Sequence, residues 1–83
     1  MSQTKTPKLC NASYYDALSL NLRFFRIRLK LTQDQVAEAA GISTKYLSMI
    51  ESSAFQHPPT LEVVFRLADV LGVEVFQLFT ERL

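Results

Sequence analysis

The 83-residue chain carries nine Lys and Arg against eight Asp and Glu, a formal net charge of +1, with 48% hydrophobic residues and mean hydropathy +0.08. It suffices for one small domain and is too apolar for disorder; burying only ~60–65% of its unfolded surface, it has little room for a large catalytic cleft. Taken whole, a near-neutral balance also argues against a nucleic-acid partner, whose usual footprint is a strongly basic domain.

Residues 1–12 are polar and read as a flexible N-terminal arm, leaving 13–83 as the folded domain. Ser13 and Asp16 have the spacing of a capping box, with Asp in place of Glu or Gln. Leu18, Leu22, Phe25 and Leu29 then recur at helical spacing, which predicts an amphipathic helix over about 14–29. Thr32-Gln33-Asp34-Gln35 fits a full capping box and opens a second helix, ended by Gly41, which supplies left-handed backbone. Ser43 caps a third helix reaching about Ser52. Pro58 and Pro59 force a loop over 55–59, and Thr60 caps a fourth helix over 61–71 that Gly72 stops. A short fifth helix, roughly 74–80, completes an all-α architecture: a compact five-helix domain without a sheet.

The charges are unevenly placed. Residues 1–30 sum to +5 and residues 31–83 to −4. A basic first third can face a polyanion while the remainder faces away, because local fields act within about a Debye length (~8–10 Å); a solvated helix face is the plainer alternative. Cys10 and His57 are the only cysteine and histidine, so neither a disulfide framework nor a metal site is expected, and no cofactor. No nucleophile–base pair, carboxylate pair or glycine-rich phosphate loop is visible, which argues against an enzyme. Neither a membrane span nor a signal peptide is apparent, so a cytoplasmic protein without membrane contact is expected.

Two short helices joined around Gly41 meet the requirements of a helix-turn-helix over residues 33–52. Ala37 stands where the second helix must cross closely, Gly41 where positive φ is wanted, and Val36, Leu47 and Ile50 where the pair anchors to a core. On the third helix, Tyr46, Leu47 and Ile50 occupy one face, while Thr44, Lys45, Ser48, Met49 and Ser52 occupy the other at ~100° per residue. The second face has no acidic group and suits a major groove, where hydroxyls, one ammonium and one soft apolar side chain meet base edges.

These segments, with T-Q-x-x-V-A, A-G-I-S, Y-L-S-x-I-E and L-A-x-x-L-G-V in order over about 18–79, resemble the Cro and lambdoid-repressor helix-turn-helix family. Among its short members, Y-L-S-x-I-E is especially similar to the controller proteins of restriction–modification systems. The resemblance implies a lambda-repressor-like fold and double-stranded DNA as partner, with Gln33 on a phosphate and Ser43, Thr44, Lys45, Ser48 and Met49 towards the major groove. It implies the Tyr46 hydroxyl on the DNA backbone, Ser52, Gln56 and His57 on a loop touching the next phosphates, and Arg26 and Glu51 as a structural pair bridging the first and third helices. The sequence departs from the family pattern at Lys30, where glycine is usual and a left-handed backbone is required. It departs again at Ser52 and Ser53, in place of a basic or amide residue followed by glycine.

The motif brings one lysine against three acidic residues, a sum of −2 over 33–52, which predicts modest non-specific affinity and a shallow salt dependence. Useful affinity then calls for a homodimer on adjacent half-sites, with Val63, Val70 and Phe76 as interface residues more apolar than exposed positions require; ordinary core packing is the alternative. Phe24 and Ile27 are likewise unexpectedly apolar on the first helix and fit either the arm or a partner. The expected function is a sequence-specific transcriptional regulator on a two-fold symmetric operator, autoregulatory and repressor- or controller-like, with no small-molecule ligand. The alternative is an antitoxin or anti-repressor type protein-interaction module on the same fold.

Overall fold

The structure, a computed structural model, describes the backbone of residues 7–54 and 57–81 and the side chains from residue 13 onward within them. Five helices follow in order: α1 Pro7–Arg28, α2 Gln33–Ala40, α3 Thr44–Glu51, α4 Leu61–Leu71 and α5 Val75–Leu78. No strand occurs among the described residues, and no helix among them is long and apolar enough to cross a membrane.

The first helix starts about two turns earlier than its hydrophobic pattern predicts. Residues 7–12, read as the end of the arm, are helical, and Ser13 and Asp16 lie inside α1 rather than capping it. A proline is tolerated in the first turn of a helix, where it has no N–H to leave unsatisfied, so Pro7 is compatible with this extent. No Gly or further Pro then interrupts the chain before Arg28. Residues 1–6 of the expected arm lie outside the described residues.

Side-chain caps open the next three helices. Thr32 Oγ1 accepts from Gln35 N at 3.1 Å while Gln35 Oε1 accepts from Thr32 N at 2.8 Å, completing the capping box. Ser43 accepts from Tyr46 N and Thr60 from Val63 N.

Four helices end in the same way, on a left-handed residue whose following N–H reaches back to close the last turn. Gly41 (φ 74°) and Gly72 (φ 70°) are the expected cases. Lys30 (φ 61°) and Ser53 (φ 59°) adopt the same conformation with a Cβ attached, where ~1–2 kcal/mol is the usual cost. Leu31 N donates to Arg26 O at 3.1 Å and Ala54 N to Met49 O at 2.9 Å, so the turns form regardless. The turn at Lys30 also leaves Leu29 exposed; the predicted apolar stripe is buried only at Leu18 and Leu22, with Phe25 partly so.

Those two leucines pack with Val36, Ala37 and Ala40 of α2, Leu47 and Ile50 of α3, four residues of α4, and Leu78 of α5. Ala37 and Ala40 are both buried, and their small side chains let α3 and α4 approach the α2 backbone. Two buried polar residues on α1 complete the packing. Asn21 donates through Nδ2 to Leu78 O at 2.9 Å and Thr80 O at 2.8 Å, satisfying carbonyls at the end of α5. Ser19 Oγ donates to Ile50 O at 2.5 Å, so Ser53 Oγ, 2.7 Å away, donates to Ser19.

The two strained turns differ in what a glycine would change. Lys30 is exposed, and Lys30→Gly is expected to raise the unfolding free energy by up to about 1 kcal/mol, the relieved strain less the added chain entropy. Ser53→Gly also removes the hydroxyl bonded to Ser19, a loss of about 1 kcal/mol that cancels the gain. Urea unfolding midpoints of the two variants against the parent measure the difference.

Candidate nucleic-acid interface

The α2–α3 pair is held by its turn and by three side-chain ties. At the turn, Gly41 follows α2 directly, and a Cβ there would stand 3.4 Å from Arg66 Nη1 besides facing the positive φ. Arg66 is itself held by Glu62 one turn earlier on α4. On the outer side, Thr44 Oγ1 donates to Asp34 Oδ1 at 2.6 Å, joining the start of α3 to the start of α2.

The strongest tie comes from α1. Arg26 donates through Nε to Glu51 Oε2 at 2.7 Å and through Nη2 to Glu51 Oε1 at 3.0 Å, a two-pronged ion pair on a buried carboxylate. A third Arg26 donor, Nη1, reaches Leu31 O at 2.9 Å. Gln33 Nε2 donates to Glu51 Oε1 at 3.0 Å, so one carboxylate is shared by the first residue of α2 and the last part of α1.

This arrangement leaves the polar face of α3 outward. Leu47 and Ile50 are fully buried, whereas Lys45, Ser48 and Ser52 are exposed, and Thr44, Tyr46 and Met49 lie half-buried at the edges. Ser43, in front of α3, is exposed, but its side chain is engaged in capping. The Thr44 hydroxyl proton is likewise committed to Asp34, which leaves Thr44 an acceptor and a methyl group to offer.

Five of the expected residues, Arg26, Gln33, Ser48, Glu51 and Ser52, line one cleft of about 320 Å³ between α1, α2 and α3. Its sixth lining residue is Arg23, one of the basic residues of the +5 segment over 1–30. The signal was available, since Arg23 stands three residues before Arg26 and four after Ser19, on the strip of α1 that meets α3. Lys45, near the start of α3, and Met49 are not among the residues lining the cleft. His57 is exposed on the connection between α3 and α4, and Gln56 lies outside the described residues.

The expected dimer residues divide. Val63 and Val70 are partly buried against the core, so their apolar character is accounted for by packing, while Phe76 is 69% exposed on α5. Leu61 and Phe65 on α4 are exposed apolar residues too, beyond those the sequence pattern marks.

The helix-turn-helix family profile matches residues 22–78, and the chain belongs to that family. It is 29% identical over 58 residues to an uncharacterised HTH-type transcriptional regulator of Methanocaldococcus jannaschii, covering 70% of this chain and 85% of that protein. Its fold is similar to the crystal structure of a hypothetical transcription factor, NHTF, from Neisseria, with a TM-score of 0.74 and 27% identity over 81% of this chain and 75% of that one. The family and these likenesses define a DNA-binding transcriptional regulator.

Removing one member of the central tie exposes its cost. Arg26→Ala leaves the Glu51 carboxylate buried without its counter-charge and is expected to lower the unfolding free energy by about 3–5 kcal/mol. The double variant Arg26→Ala/Glu51→Gln removes the stranded charge and recovers part of the loss. Chemical denaturation of the parent and both variants checks the order.

Proposed function

We propose that this regulator binds, as a homodimer, an operator with two-fold symmetry, and that it acts on its own expression in the manner of a repressor or controller protein. The observation carrying the reading is the outward face of α3, with Lys45 and Ser48 exposed and no carboxylate among Thr44, Lys45, Ser48, Met49 and Ser52. Lys45 is the donor for a guanine edge, the half-buried Met49 meets a thymine methyl, and Ser48 donates or accepts. Gln33 retains a second amide hydrogen for a phosphate beside the amides of the α2 N-terminus. Tyr46, at the edge of α3, and the exposed Ser43, Ser52 and His57 complete the DNA-facing side, with Gln56 beside His57 in sequence.

Two copies are required by the weak charge of one. A single motif that sums to −2 gains little from phosphate neutralisation, and pairing two of them on half-sites about 34 Å apart multiplies their affinities. Phe76 is the anchor proposed for the contact between copies, with Val63 and Val70 contributing their remaining exposed surface. A concentration-dependent dimer then makes the level of the protein its own control signal.

A second reading has its own support. Leu20, Phe24 and Ile27 form an exposed apolar strip on α1, separate from the α3 face, and such a strip suits a protein partner of an antitoxin or anti-repressor type module. Gel-shift binding to its own promoter fragment at about 150 mM salt separates a regulator, which retards the fragment, from a pure interaction module, which does not.

Lys45→Ala is expected to cost ~1–3 kcal/mol at the base it reads and to relax preference at that position; binding measured across a set of single-base operator variants checks this. Phe76→Asp is expected to raise the dimer dissociation constant at least tenfold, which corresponds to about 1.4 kcal/mol. Sedimentation equilibrium over a range of concentrations measures it.

A further inference from the structure

We propose that Arg23 of α1 is a phosphate-contacting residue, closing with Gln33 and Ser48 a site for one DNA backbone phosphate in the cleft between α1, α2 and α3. The inference rests on the DNA-binding reading and assigns a residue to it.

The three described arginines of α1 are in different states. Arg26 is spent on Glu51 and Leu31 O, and Arg28 lies over the Phe24 ring, 5.7 Å from its centroid. Arg23 is exposed, with neither an ion pair nor a hydrogen bond among the described residues. Its place is fixed by its helical neighbours. Ser19, one turn before, bonds to Ile50 O and Ser53 at the end of α3, and Arg26, one turn after, bonds to Glu51. Arg23 therefore stands over the last turn of α3, on the wall of the cleft that also holds Gln33, Ser48 and Ser52.

The donors suit an anion. Two guanidinium groups and a single carboxylate leave the cleft one positive charge, and the carboxylate's oxygens are turned towards Arg26 and Gln33. Gln33 Nε2 gives one hydrogen to Glu51 and keeps the other, the exposed Ser48 hydroxyl is available to donate, and the guanidinium of Arg23 offers a planar fork. Ser52 Oγ donates to Met49 O at 3.2 Å, so it shapes the cleft rather than supplying a proton. A phosphate seated there touches α1, α2 and α3 at once, which fixes how the recognition helix enters the groove.

The test uses the full chain and a duplex that the parent protein enriches from a randomised pool. Binding is measured at several salt concentrations over roughly 50–200 mM for the parent, Arg23→Ala, Arg23→Lys and Arg28→Ala, with thermal unfolding confirming each fold. Arg23→Ala is expected to weaken binding about tenfold, equally across duplex sequences, and to reduce the salt slope by about 0.9. Arg23→Lys is expected to keep the parent slope, as is Arg28→Ala, whose charge lies off the cleft. An unchanged slope in Arg23→Ala, or an equal fall in Arg28→Ala, overturns the assignment while leaving the DNA-binding reading intact. A parent that enriches no duplex overturns both.

Discussion

One carboxylate organises this domain. Glu51 is buried at the end of α3 and is reached by two donors of Arg26 from α1 and one of Gln33 from α2. A charge withdrawn from water is tolerated only where its partners meet it with good geometry, so the group constrains orientation more than it stabilises. Sliding or rotating α3 by one residue would strand the charge, whereas the apolar contacts of Leu47 and Ile50 tolerate repacking more readily. The same guanidinium holds Leu31 O just after α1, so the turn into α2 and the seating of α3 are set by a single side chain.

The weak overall charge acquires a different meaning once the helices are placed. Positive groups come from α1, and α3 contributes one lysine among hydroxyls. On the proposed reading, affinity for phosphate and discrimination between bases are divided between elements, with α1 and the start of α2 assigned to the backbone and α3 to the groove. Thr44 shows that the outward face of α3 is itself partly structural, since its hydroxyl proton is committed to Asp34.

Much of this was legible in the sequence because it depends on local chemistry. The caps at Thr32, Ser43 and Thr60, the turns at Gly41 and Gly72, and the burial of Val36, Ala37, Leu47 and Ile50 all follow from spacing and residue type. Lys30 was marked as a glycine-like position and adopts the left-handed backbone. The extent of α1 was less legible, because the capping spacing of Ser13 and Asp16 marks a helix start where the structure has helix interior. Asn21 and Ser19 could not be recognised as buried from periodicity, which marks polar residues as solvent-facing; their partners lie 57 and 31 residues away. Within the site, residue types were readable, but commitments such as Thr44 to Asp34 depend on where two helix starts come to rest.

The bond from Asn21 to Leu78 has a consequence for the order in which the molecule assembles. The α2–α3 hairpin closes over a three-residue turn, at little entropic expense, whereas α5 is joined to α1 by a contact spanning 57 positions of chain. Such distant closures come late when nearer contacts have already compacted the chain. The α2–α3 hairpin is therefore expected to form before the last helix docks. Until α5 docks, the Asn21 amide lacks the two carbonyls that satisfy it in the folded domain.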